Sequence, residues 1–271
     1  MTLEREIGAK LLERHARGVE PTAAGLLLVE QGKILLEWSE RISQQVARVG
    51  KGESGFIYIA AMPAFAWSSL PSLLQDLRSA APGIRVGLAE PGPAGVLRMV
   101  TEGTADIGFI ANSDPSALAV AYPDLIVDTL SPLHLTLAVA ADDDGGIGPI
   151  ASLRELRRYE HRTWFIPEIV PAFQGASEIT HDLWRAGGFH PDSIQTVQTL
   201  QSALPLIAAG MGVALVPRSL GGLHVTGIRH RSFGFTLPAL YGVSIRSRQF
   251  QASESLPAFL EIIDAHFVRE R

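Results

Sequence analysis

The sequence predicts an α/β protein of two Rossmann-like lobes preceded by one long helix, and three observations carry that expectation. The first is a repeated unit. Thr199 is placed to cap a helix over 200–209, Gly210 closes it, and the apolar strand 213–216 follows, stopped by Pro217. The same grammar occurs earlier as a helix over 96–102, then Gly103, then a strand over 106–110. The second observation is that these strands are continuously apolar, as strands buried on both faces of a parallel sheet are. Two such units far apart in the chain imply two lobes, each with its own parallel sheet, and a ligand crevice between them. The third is a proline-free stretch over 22–48 whose apolar stripe fits a single helix.

In chain order, residues 3–14 are periodic and read as the end of a helix, broken by Arg17-Gly18-Val19-Glu20-Pro21. Thr22 can cap the next helix, which at 1.5 Å per residue spans ~40 Å. That length is too great for one small domain to cover. Leu28, Leu35 and Ile42 lie seven apart with Trp38 beside them, so this helix is expected to pair with its copy in a second subunit. Gly50-Lys-Gly52-Glu-Ser-Gly55 has the spacing of a dinucleotide-binding loop, but it follows a helix and precedes a strand, the wrong order for holding a pyrophosphate. It reads as a linker. The first lobe is then strand 56–61, helix 70–80, strand 84–89, helix 96–102 and strand 106–110, with a further apolar strand at 133–140. Asp142-Asp143-Asp144-Gly145-Gly146 lacks the spaced carboxylates of a calcium loop and reads as a solvated crossover. Gly221-Gly222 marks a return, followed by strand 240–245 and helix 256–268. The expected domains are 1–21, 22–50, a discontinuous first lobe of 53–142 plus 222–271, and a second lobe of 143–221.

Composition narrows the function. Of 271 residues, 46% are apolar and 19% charged, enough to bury one large core or two modest ones. Cysteine is absent, which excludes disulfides, thiolate metal sites and thiol catalysis. The first fifteen residues alternate in charge without an apolar core, unlike a secretory signal, and no apolar run approaches ~18 residues. A soluble, cytoplasmic protein without a membrane partner is expected. The net charge of −5 means that any contact with nucleic acid must sit in a local patch. Eight scattered histidines, with no HExxH, GxSxG or Walker pattern, argue against an enzyme, a metal or a cofactor.

Short motifs in register then carry a resemblance. Ile7-Gly8-Ala9-Lys10-Leu11-Leu12-Glu13-Arg14, Arg17-Gly18-Val19 and Pro21-Thr22-Ala23-Ala24-Gly25 come first. Thr101-Glu102-Gly103-Thr104-Ala105-Asp106-Ile107-Gly108, Ala186-Gly187-Gly188-Phe189 and the stretch 210–217 follow. Over nearly its whole length the chain resembles LysR-type transcriptional regulators. The resemblance implies lobes of periplasmic-binding-protein type II architecture, a small-molecule effector, operator DNA and a homodimer or homotetramer. It also implies that 1–21 is the remnant of a winged helix-turn-helix, namely the end of the recognition helix and the wing, with Lys10, Arg14 and Arg17 left for phosphate contact. The first fifty residues hold seven Lys or Arg and seven Glu, so this region is not basic. The helix-turn-helix is expected either upstream of Met1 or to be missing from a form that senses effector and still dimerises. A solute-binding protein for transport is the alternative.

Effector is expected at the carboxyl ends of the strands, where helix N-termini offer free amides. The first lobe offers Met62, Pro63, Ala64, Phe65, Trp67 and Ser68. The family commonly has Ser or Thr near Met62 and Ala64, so apolar residues there imply a more apolar or aromatic effector, its anion held by backbone N–H groups and by Ser68. Phe65 and Trp67 serve core packing as readily. Asn112 fits a ligand or a turn. Ile166, Thr199 and Leu200 complete the expected site from the second lobe.

Overall fold

The computed structural model describes residues 2–15, 18–49, 55–144, 146, 148–223, 225–250 and 253–269. For some helical and strand residues, among them Arg14 and Trp38, it describes the backbone alone. Arg17 lies outside the described residues. The chain divides into two compact units, 1–54 and 55–271.

The first unit opens with α1 (Thr2–Ile7) and a hairpin of β1 (Leu12–His15) and β2 (Gly18–Pro21). The helix expected over 3–14 therefore ends seven residues early. Gly8 takes φ +73°, the left-handed conformation that closes helices, and its N–H donates to the Glu4 carbonyl at 2.9 Å. The Glu4 carboxylate then accepts from the Leu11 and Leu12 amides at 2.8 and 3.2 Å, which turns the chain into β1. Arg14 pairs with Val19 in the hairpin and exposed Lys10 lies in the connection before it, so neither is helical. Next comes α2 (Ala23–Val49), capped as expected: the Thr22 hydroxyl oxygen accepts from Gly25 N–H at 3.0 Å. A Cβ on Gly25 would stand 2.1 Å from the Leu11 carbonyl oxygen, so only glycine lets the helix start against that segment. Leu26, Leu27, Val29, Leu35, Leu36 and Ile42 are exposed along α2, and Leu28 is half-buried.

In the second unit the order is β3 (Phe56–Ala61), α3 (Pro63–Ala66), α4 (Ser69–Ala80), β4 (Arg85–Ala89), α5 (Pro93–Thr101), β5 (Ile107–Asn112), α6 (Pro115–Ala121) and β6 (Leu125–Leu133). A second series follows: β7 (Leu135–Ala140), α7 (Leu153–Leu156), β8 (Thr163–Pro167), α8 (Ala176–Gly187), β9 (Ser193–Val197), α9 (Leu200–Ala208), β10 (Ala214–Pro217) and β11 (Ile228–Arg231). Then β12 (Leu240–Ser247) and α10 (Leu256–Arg269) rejoin the first series, α10 packing on α4.

Lobe I is a five-stranded sheet in the order β4-β3-β5-β12-β6. β3, β4 and β5 run parallel, while β12 is antiparallel to both its neighbours. Apolar layers cover both faces. One gathers Ile57, Leu70, Phe109 and Phe259, the other Val96, Val100, Ile110 and Val243. In lobe II, β7 lies between β10 and β11, antiparallel to both, and β8 pairs with β9 in parallel. A parallel bridge from Trp164 to Val213 links the two sets.

Two expectations change. The second lobe is mixed rather than parallel, because β7 and β11 enter and leave it in directions opposed to their neighbours. The division at 142/143 and 221/222 also moves: β7 hydrogen-bonds to β10 and β11, so the chain changes lobe at His134 and returns between Arg231 and Leu240.

Candidate functional site

The carboxyl ends of β3, β5, β8 and β9 lead to a narrow cleft. Met62, Pro63 and Ala64 line it from α3, Gly92 and Pro93 from α5, 175–178 from the start of α8, and Thr199, Leu200 and Gln201 from α9. First-turn N–H groups have no carbonyl partner within their own helix, and the aligned peptide dipoles of α5, α8 and α9 make these ends positive. A cleft walled this way can hold an anion without a cationic side chain. Neither Lys nor Arg is among its lining residues, which do include Glu168 and Glu178.

The less exposed polar side chains Ser177, Glu178 and Gln201 divide into two that are already occupied and one that is not. Glu178 reaches back to the start of α8, accepting from Gly175 N–H at 2.7 Å. Ser177 donates to the Pro167 carbonyl at 2.7 Å. Gln201 is 8% exposed, and its amide nitrogen has no partner among the described residues. An unpaired buried amide costs about 1–3 kcal/mol, a cost that a ligand acceptor would remove. Pro205 lies inside α9 and supplies no N–H to the Gln201 carbonyl, which leaves this first turn with fewer internal bonds.

Of the residues expected at the site, Met62, Pro63, Ala64, Thr199 and Leu200 line the cleft, and the other five do not. Phe65 is 2% exposed and stacks on Phe109 with ring centroids 5.7 Å apart, which is the core-packing alternative. A Cβ on Gly242 would come 2.5 Å from the Phe65 ring, so that glycine makes room for it. Trp67 is exposed and donates through its indole to Glu90 at 3.0 Å. Ser68 donates its hydroxyl back to the Ala64 carbonyl. Ile166 packs in the lobe II core. Asn112 is fully buried; its side-chain oxygen accepts from Asp114 N–H at 2.8 Å in a local turn, and its amide nitrogen has no partner among the described residues. Thr199 occupies the cap position in extended conformation, but its hydroxyl makes no capping bond, contrary to expectation.

Gln201, Glu168 and Phe173 were not among the expected residues. Gln201 carried a readable signal, a lone polar side chain in the first turn of an apolar helix. Phe173 carried none, because the segment before α8 has neither period nor cap pattern.

Two lobes joined by two crossings, with helix N-termini converging on the seam, define a ligand-binding module of the type II periplasmic-binding-protein fold. Residues 50–268 match the family described as the LysR substrate binding domain, and the chain belongs to the LysR family. It is 28% identical over 221 residues to the HTH-type transcriptional regulator TcbR of a Pseudomonas species, which spans 82% of this chain and 72% of the relative. It is 28% identical over 222 residues to BenM of Acinetobacter baylyi, spanning 80% of this chain and 68% of that one. Among solved structures, the crystal structure of CbnR, a LysR family transcriptional regulator, superposes with a TM-score of 0.77 at 23% identity. That match covers 98% of this chain and 86% of CbnR. The BenM effector binding domain with its effector benzoate gives 0.61 at 23% identity, over 79% of this chain and 93% of that one. These relatives are regulators, which answers the transport alternative.

Proposed function

We propose that this LysR-type transcriptional regulator acts in the cytoplasm without enzymatic chemistry and senses a largely apolar molecule bearing a single carboxylate. One observation carries the choice of effector: the buried, unpaired Gln201 amide on a cleft wall built largely of apolar side chains and helix N-termini. The benzoate named for the BenM domain has this chemistry. With Glu168 and Glu178 in the lining and no cationic side chain there, a second negative charge on the effector would meet repulsion. Met62, Pro63, Ala64, Leu200 and Gln201 are the residues assigned to the effector, and Thr199 contributes its backbone.

Effector then regulates by binding one arrangement of the lobes better than another, since equal affinity for both would shift nothing. The apolar positions Leu28, Leu35, Trp38 and Ile42 of α2, of which Leu35 and Ile42 are exposed, pair with a second copy. Lys10, Arg14 and Arg17 supply phosphate contacts to operator DNA. Titration calorimetry of the full chain with benzoate, small hydroxy acids and dicarboxylates tests the effector class. Benzoate should bind best, and Gln201→Leu should weaken it about tenfold, the loss of one hydrogen bond to a charged group. Preference for a hydroxy acid or a dicarboxylate would defeat the assignment.

A further inference from the structure

The two chain crossings between the lobes border a second, solvent-open cavity, lined by residues 132–136, 232–233, 235–240 and Arg218. Its walls are largely apolar. Phe233 and Phe235 meet edge to face with centroids 5.4 Å apart, and Leu133 and Leu237 stand beside them. At this cavity Arg218 follows β10, anchored through its backbone N–H to the His134 carbonyl at 2.6 Å. Its side chain is exposed, and its guanidinium makes no ion pair or hydrogen bond with any described residue. An unpaired planar cation beside an aromatic-walled space is suited to a carboxylate on an apolar body, which it can take with two parallel hydrogen bonds.

We propose that this hinge cavity is a second, regulatory site for an apolar monocarboxylate, held by Arg218 and the Phe233–Phe235 pair. The position gives such a ligand leverage. The segments it would touch are the two crossings that join the lobes, and Leu240, 1% exposed, lines both this cavity and the cleft. A ligand that fits one hinge geometry better than another biases lobe closure, and by reciprocity effector in the cleft changes affinity at the hinge. Only that coupling rests on the cleft being the effector site; the hinge site itself does not.

Photolabelling of the full chain with 4-benzoylbenzoate, an aromatic ketone carrying one carboxylate, reads the two sites separately. After irradiation, peptide mass spectrometry should find adducts within 232–240 as well as in peptides holding 62–64 or 198–201. Arg218→Gln should lower the hinge adducts about tenfold, as loss of a charge-assisted hydrogen bond does, while leaving the cleft adducts unchanged. Arg218→Lys, which keeps the charge but not the paired hydrogen bonds, should give an intermediate yield. Hinge labelling that is absent, or undiminished in Arg218→Gln, overturns the proposal. Hinge labelling without cleft labelling supports it and counts against the cleft reading alone.

Discussion

Lobe I holds its sheet between two apolar layers, with α4 and α10 on one face and α5 on the other, whereas lobe II holds a long irregular segment in place with a guanidinium. Arg231, 2% exposed at the end of β11, donates to the Gly148 carbonyl at 3.0 Å, the Tyr159 hydroxyl at 2.9 Å and the Glu155 carboxylate at 2.7 Å. Tyr159 passes the chain on by donating to Asp143 at 3.1 Å, and Glu155 also accepts from Ala151 N–H at 2.8 Å. The described residues of 143–160 form no strand beyond a single bridge at Ile150, so these bonds replace the ladder that lobe I uses. Burying apolar area fails by degrees when trimmed. A satisfied polar hub fails abruptly, because the groups left behind are buried and unpaired. Lobe II should therefore be the more fragile half.

The largest expected effect tests that directly. Arg231→Met should cost about 3 kcal/mol, the range for removing one partner of a buried ion pair. Hydrogen exchange at fixed pH should show the loss in peptides spanning 135–160 and 228–231, with β3 and β5 protected as before. Uniform exchange across both lobes would remove the distinction. In lobe I the matching change is steric: Gly242→Ala sets a Cβ against the Phe65 ring, and overpacking of this kind costs about 1–3 kcal/mol. Its loss should appear in β5, β6 and β12 and leave lobe II intact. A neutral outcome would mean that Phe65 moves aside without cost.

Acid separates the lobes more gently. Burial pushes the His230 imidazole below its ordinary 6.5, so the fold favours the neutral ring. A depressed histidine contributes stability above its unfolded pKa and loses it as pH falls through the folded one, so the first weakening starts below about pH 6.5. Glu155 is held below its ordinary 4.5, first by the Ala151 amide and then by Arg231. Its contribution is present above the unfolded pKa and lost as pH falls through the folded one, so a second weakening belongs below 4.5. Urea unfolding followed by fluorescence of buried Trp164 and Trp184, both in lobe II, should show two steps. His230→Gln should flatten the first and Glu155→Gln the second. One step, or none, would assign lobe II's acid sensitivity elsewhere.

How far the sequence could be read follows the same division. Apolar periodicity located β3, β5, β10, β12, α4, α9 and α10 to within a few residues, because strands buried on both faces and capped helices leave local signals. It failed where position depends on distant partners. β6 contains Asp128, Thr129 and Pro132 and takes its place from pairing with β12, more than a hundred residues away. Asp142-Asp143-Asp144 has the local look of a crossover, whereas hydrogen bonding to β10 and β11 fixes the side on which β7 falls. At the site, loop residues just past strand ends were legible. Phe65 and Ile166 were not, since an apolar side chain near a strand end packs inward or faces the cleft according to tertiary geometry alone. Arg231 gave no warning, because a lone arginine in a short strand is ordinarily a surface residue.

The smallest expected effect concerns two threonines that read alike as helix caps. The Thr22 hydroxyl oxygen accepts from Gly25 N–H at 3.0 Å, and its proton goes to the Lys10 carbonyl at 2.7 Å. Thr22→Ala should therefore cost about 1 kcal/mol, the usual loss for a working cap. Thr199 at the start of α9 makes no such bond. Thr199→Ala should change urea stability by less than about 0.5 kcal/mol, as a substitution does when it removes no named interaction. If the α9 amides are left open for ligand, as the cleft reading requires, Thr199→Ala should also leave benzoate affinity within about twofold. A loss of stability near that of Thr22→Ala would show that the hydroxyl does cap α9, and that fewer of its amides are free to bind.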